Sequence, residues 1–118
     1  VPTVEHSGVK FNVNEKGYLE DYHTWNEDIG RALAEREGLG NLAQEQMEIL
    51  KFMRDYYDKF HAFPMLGYVC RNIHQPKECV SEQFMDPLEA WKIAGLPEPI
   101  EEVIEHLKRP AGPHHKVP

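Results

Sequence analysis

The chain has 118 residues, 13 basic against 20 acidic for a formal net charge of −7, and two cysteines, Cys70 and Cys79. That length supports one hydrophobic core and excludes a second substantial one, while the negative balance repels phosphate backbones and weighs against tight non-specific nucleic-acid binding. Two cysteines are too few for a disulfide scaffold, so both are expected as thiols in a reducing cytoplasm. The apolar runs, such as Ala62-Phe63 and Val103-Ile104, are only a few residues long, far short of the roughly 20 apolar residues a spanning helix needs. The start, Val1-Pro2-Thr3-Val4-Glu5-His6, has neither the basic opening nor the apolar stretch of a secretory signal, so a cytoplasmic location without membrane contact is expected. Composition calls for no cofactor.

In chain order, Thr3-Val4-Glu5-His6, Val9-Lys10-Phe11-Asn12-Val13 and Gly17-Tyr18-Leu19 read as short strands, with turns at Ser7-Gly8 and Asn14-Glu15-Lys16. Val9, Phe11 and Val13 share one face, which predicts a hairpin laid on a helical body. Thr24-Trp25-Asn26-Glu27 has the form of a capping box with Thr24 as the cap, opening a helix that ends at Gly38 and turns Trp25, Ile29 and Leu33 inward. A longer helix is expected from Leu42 to about His61. Met47, Leu50, Met53 and Tyr57 form its stripe, and Ile49, Phe52, Tyr56 and Phe60 widen it, as suits the central helix of the domain.

Pro64 is placed at the first position of a third helix running to about His74, with Leu66, Val69 and Ile73 inward. Pro76 opens a fourth holding Cys79, Val80 and Phe84, and Asp86-Pro87-Leu88-Glu89 starts a fifth that stops at Gly95. Ile100, Val103, Ile104 and Leu107 recur at helical spacing and predict a last amphipathic helix. The expected fold is mostly α with a small N-terminal β-hairpin, a compact helical array including a helix-turn-helix-like unit. One domain is expected over residues 1–108, followed by a disordered tail over 109–118.

Several of these stretches, in this order and spacing, resemble the family of dissimilatory sulfite reductase gamma subunits and their sulfur-relay relatives of the TusE kind, from about residue 4 to 103. They are Val13-Asn14-Glu15-Lys16-Gly17-Tyr18-Leu19, Trp25, Phe52-Met53-Arg54-Asp55-Tyr56-Tyr57, Phe63-Pro64-Met65 and, most diagnostic, Ala94-Gly95-Leu96-Pro97-Glu98-Pro99. The resemblance implies that this last segment belongs to a mobile C-terminal arm. It also implies a sulfur-carrying cysteine three residues before its alanine in many members, and another at the penultimate position. Those positions are Trp91 and Glu102 here. Neither an indole nor a carboxylate forms a sulfur–sulfur bond, so no catalytic residue and no tail chemistry of the family type are expected. The chain also continues through Ile100–Leu107, so a swinging arm is expected to have become a fixed element.

Other candidates are weighed beside this one. Cys70, His74 and Cys79 supply enough donors for a metal but lack paired-ligand spacing, so two buried core cysteines and no metal are expected. Cys79, near a helix start, or Cys70 is an alternative sulfur carrier acting through an internal thiol. The short helices after the long one, with Lys59, Arg71, Lys77 and Lys92 nearby, suggest a DNA-binding regulator as a further alternative. The leading expectation is a non-catalytic regulatory or protein-binding member of this sulfur-metabolism family, whose partners are a sulfite reductase or sulfur-relay proteins.

Overall fold

The computed structural model describes residues 3–108; the expected tail, 109–118, lies outside them. Strands β1 (Thr3–His6) and β2 (Val9–Asn12) pair antiparallel, with Thr3 opposite Asn12 and His6 opposite Val9. Ser7 and Gly8 both take positive φ, 53° and 81°, the two-residue hairpin turn whose twist matches that of the strands. Phe11 and Val13 are buried beneath the hairpin. The third expected strand is a single bridge from Val13 to Leu19, because the Asn14 turn spends the intervening backbone groups locally. Asn14 Oδ1 accepts from the Lys16 and Tyr18 amides at 2.9 and 3.0 Å.

Helix α1 (Glu27–Arg36) is capped by Asn26, whose Oδ1 accepts from Ile29 N at 2.9 Å. Thr24 was the expected cap; instead it closes a short 3-10 turn over Tyr22–Thr24, with its hydroxyl donating to Asp21 O at 2.7 Å. Two residues only two positions apart, both able to cap, leave the start of a helix ambiguous from sequence, and the extended Asn26 backbone decides it. Helix α2 (Gln44–Phe60) buries Met47, Ile49, Leu50 and Met53. Each fully buried side chain of this size contributes about 1.5–3 kcal/mol relative to exposure. Phe60 departs from the expected stripe: it is 58% exposed at the end of α2, beyond the reach of the core.

Helices α3 (Leu66–Asn72), α4 (Cys79–Gln83), α5 (Pro87–Ile93) and α6 (Glu101–Lys108) follow. Pro64 is not the first residue of α3: it lies buried in the approach, and Met65 is the cap. Pro76 likewise precedes a turn rather than opening α4, with Cys79 N donating to Pro76 O at 2.9 Å. Asp86 caps α5 as expected, accepting from Glu89 N. Helices α1, α3 and α5 share one ending. After α5, Gly95 N donates to Lys92 O and Leu96 N to Trp91 O, with Gly95 at φ 75°. Gly38 and Leu39 close α1 in the same way, and His74 and Gln75 close α3, each a left-handed residue that caps orphan carbonyls. One core holds the hairpin, α1, α2 and α3–α5 together, with Leu33, Ile49, Leu50, Met53, Val69, Trp91, Ile93 and Leu96 at its centre. Among the described residues no helix is long and apolar enough to cross a membrane.

Candidate functional site: a terminal segment held by its own carbonyls

The segment that leaves α5 is fixed by side chains that reach its backbone oxygens. Trp25 Nε1 donates to Ile93 O at 2.9 Å, Arg54 Nη1 donates to Ala94 O at 2.9 Å, and Trp91 Nε1 donates to Pro97 O at 2.6 Å. Arg54 also gives Nη2 to Tyr22 O at 2.8 Å and lays its guanidinium 4.7 Å from the centre of the Trp25 ring. Burial pulls the Arg54 pKa below the usual arginine value, yet guanidinium stays charged at any physiological pH. These hydrogen bonds to a charged donor, in a partly dry setting, are worth more than neutral ones.

Trp91 and Glu102, the two positions that the resemblance marks, have different surroundings. Trp91 is 2% exposed and lies against Phe63 and Tyr57, with ring centres 4.5 and 5.8 Å apart. It is therefore both core and clasp. Glu102 sits in the exposed first turn of α6. On the far side of the segment, Lys16 Nζ reaches Glu98 Oε2 at 3.0 Å and that hydrogen bond raises the Lys16 pKa, so the turn after β2 is tied to the segment as well. Beside it Tyr18 is buried under Lys92, whose Nζ stands 5.1 Å from the ring centre and 3.6 Å from Glu37 Oε2. Burial first, then the Glu98, Asp86 and Glu37 charges, push the Tyr18 hydroxyl up to about 12.

Cys70 and Cys79 were expected as thiols; the structure joins them as a disulfide, Cα atoms 5.7 Å apart. The reason is geometric. His74 at φ 60° turns the chain back after α3, bringing Cys70 and Cys79 within the span a disulfide bridges, which redox compartment alone does not reveal. Both sulfur-bearing residues are buried. His74 serves as the left-handed residue after α3, and among the described residues no group of three His, Cys, Asp or Glu side chains is placed to hold a metal.

The basic residues considered for DNA do not form one reading face. Lys92 is engaged with Glu37, and Arg71 lies 5.9 Å from the Tyr68 ring centre. The fourth helix has five residues, about 7 Å of length, too short to read a groove. Sequence reasoning missed the roles of Arg54 and Gln46. Gln46 accepts from Ala43 N at the start of α2 and donates to Gln83 O at 2.7 Å after α4. An arginine on the inner side of an otherwise apolar stripe was the available signal for the first; nothing local marks the second.

Comparison with known proteins places the chain in a family. The family profile described as DsrC like protein matches residues 5–103. The sulfurtransferase TusE of Escherichia coli (strain K12) is 28% identical over 102 residues, covering 79% of this chain and 93% of that protein. The dissimilatory-type sulfite reductase gamma subunit of Nitratidesulfovibrio vulgaris (strain Hildenborough) is 31% identical over 98 residues, covering 81% and 93%. Among solved structures, dissimilatory sulfite reductase I (DsrI) superposes with a TM-score of 0.73 at 30% identity, over 84% of this chain and 97% of that one. The oxidized gamma subunit (DsrC) from Archaeoglobus fulgidus gives 0.69 at 27%, over 84% and 97%.

Proposed function

The chain belongs to the DsrC-like family of sulfite reductase gamma subunits and sulfur-relay proteins, and from that premise we propose that it is a non-catalytic, protein-binding regulator in sulfur metabolism. The observation that carries this reading is Trp91. Where the family resemblance calls for a thiol, the chain has an indole that donates to Pro97 O. That indole replaces one of the two thiols the resemblance implies, Glu102 standing at the other position, and it ties the outgoing segment to the body. Both cysteines of the chain lie upstream, at Cys70 and Cys79, so no sulfur atom able to form a persulfide stands in residues 80–118. The retained helical body is then the part that meets partners, with a sulfite reductase or a relay protein as the expected class.

Intact-mass measurement after incubation with a persulfide donor tests the chemistry. The native chain, its disulfide intact, is expected to gain nothing, whereas Glu102→Cys gains the mass of one sulfur atom; a gain by the native chain sinks the proposal. Pull-down from cell extract tests the partner, and recovery of no sulfur-metabolism protein counts against it.

A second reading is favoured by the relatives named as sulfurtransferases. On that reading Cys70 or Cys79 carries sulfur after the disulfide is reduced by a dithiol, which leaves as its own disulfide while two thiols form. Mass gain appearing only after such reduction, and disappearing in Cys70→Ser or Cys79→Ser, would establish it.

A further inference from the structure

Helix α6 is the least buried helix of the array: Val103, Ile104 and Leu107 are half-covered and no residue of the helix is buried. Under it runs an open trough with two compartments. One, of about 450 Å³, lies between Phe63–Leu66 and the Val103, His106 and Leu107 side of α6. The other, of about 310 Å³, continues under Pro97–Ile100 toward Tyr57. Phe63 and Val103 line both, so the two adjoin along the same side of α6. The rim is apolar, with Met65 80% and Ile100 66% exposed. Phe60 and Tyr68 also stay exposed, each packed on Tyr56 at 4.7 and 5.8 Å between ring centres.

Charge selects what this trough accepts. Glu102 lines the trough beside His106, Glu101 and Glu105 are exposed on the same helix, and none of the three carboxylates has an ion-pair partner within 4 Å among the described residues. A second copy of the chain would bring the same carboxylates and a net charge of −7 against them, which disfavours self-association. From Ile100 to Leu107 the trough is about 10 Å long, two turns of helix. We propose that it docks an amphipathic helix of a partner protein, with apolar residues at i, i+3, i+4 and i+7 in the trough and Lys or Arg along the edge that faces α6. This inference rests on the protein-binding reading above in taking the occupant to be a protein, but not on the loss of sulfur transfer.

Titration of the full chain with synthetic helical peptides tests it. The probe has Leu at the four docking positions and Lys on the flanks; one control replaces Lys by Glu, another scatters the Leu around the helix. Binding of the Lys peptide is expected, with each control weaker by roughly tenfold or more. Met65→Glu, at a position so exposed that folding is untouched, is expected to weaken the Lys peptide about tenfold. Glu101→Gln, Glu102→Gln and Glu105→Gln together should weaken it about threefold or more and flatten its salt dependence. The same number of changes elsewhere, at exposed Glu5, Glu20 and Glu82, should leave it unchanged.

Equal loss from the two charge sets means attraction to net charge alone and overturns the proposal. So does no binding at about 1 mM, or concentration-dependent dimerisation that competes with the peptide. A roughly tenfold gain in affinity on Arg109→Ser with Lys116→Ser would show the chain's own last residues filling the trough, and would overturn it too. Mass gain from a persulfide donor, by contrast, would defeat the reading of the preceding subsection and leave the trough standing.

Discussion

Gly95 shows how much one residue of a recognisable motif can carry. Its φ of 75° caps α5, and a Cβ there would run into Cδ1 and Cγ of Trp25 and press on Leu19 Cδ2. Trp25 has no room to yield, because its other edge lies against Gly30 and its indole nitrogen is bonded to Ile93 O. Gly95→Ala therefore combines a left-handed penalty of about 1 kcal/mol with overpacking of about 2 kcal/mol. Thermal denaturation is expected to show a midpoint lower by on the order of 10 °C, and an unchanged midpoint would refute the packing account.

Glu89 makes the opposite case, a buried carboxylate held at a cost. Its Oε1 accepts from Met85 N at 2.8 Å, and burial, with Asp86 and Glu37 nearby, raises its pKa above the ordinary 4.5. Because the folded value is the higher one, its protonated form stabilises the fold fully below pH 4.5 and that contribution is lost as pH rises through the folded value. Gln keeps the acceptor without the charge. Glu89→Gln is expected to match the native chain at acid pH and to exceed it in urea midpoint at neutral pH; a lower midpoint at neutral pH would show the charge to be useful.

At the scale of elements, the long-period signals were legible and the punctuation was less so. The α2 stripe, the Asp86 cap and the Gly95 stop could be read directly, because each follows from side-chain periodicity or from a residue with one favoured backbone state. Thr24 and Asn26 could not be told apart as caps, and Pro64 and Pro76 fit an approach turn as well as a first helical position. The disulfide between α3 and α4 was illegible for a different reason: it depends on His74 adopting a left-handed φ of 60°, rare for a non-glycine residue. Its energetic role is measurable. With a sequence separation of 9, loop-closure entropy gives about 2.5 kcal/mol of stabilisation. Urea unfolding with and without a strong dithiol is expected to differ by about that amount, with reduction slow in the absence of denaturant because both sulfurs are buried. Coincident unfolding curves would mean that α3 and α4 are held by packing alone.

For the whole molecule, the question is what keeps residues 93–108 on the body. The order of motifs marks Trp91 and Glu102 only by resemblance, and sequence reading could not see that three side chains far apart in the chain, Trp25, Arg54 and Trp91, each capture a carbonyl of residues 93–97. Such bonds join residues up to 68 apart, and no local pattern encodes them. Trp91→Phe separates the two duties of the indole: an aromatic ring still fills the space against Phe63 and Tyr57, but Pro97 O loses its donor. A lost hydrogen bond of this kind costs about 1 kcal/mol, so the global unfolding midpoint should fall only slightly. Amide exchange over residues 96–103 should rise by about fivefold, the same energy expressed as local opening, while exchange in α2 should follow only the small global change. If exchange in the segment does not move, its anchoring comes from Arg54 and Trp25, and Trp91 acts there as core alone.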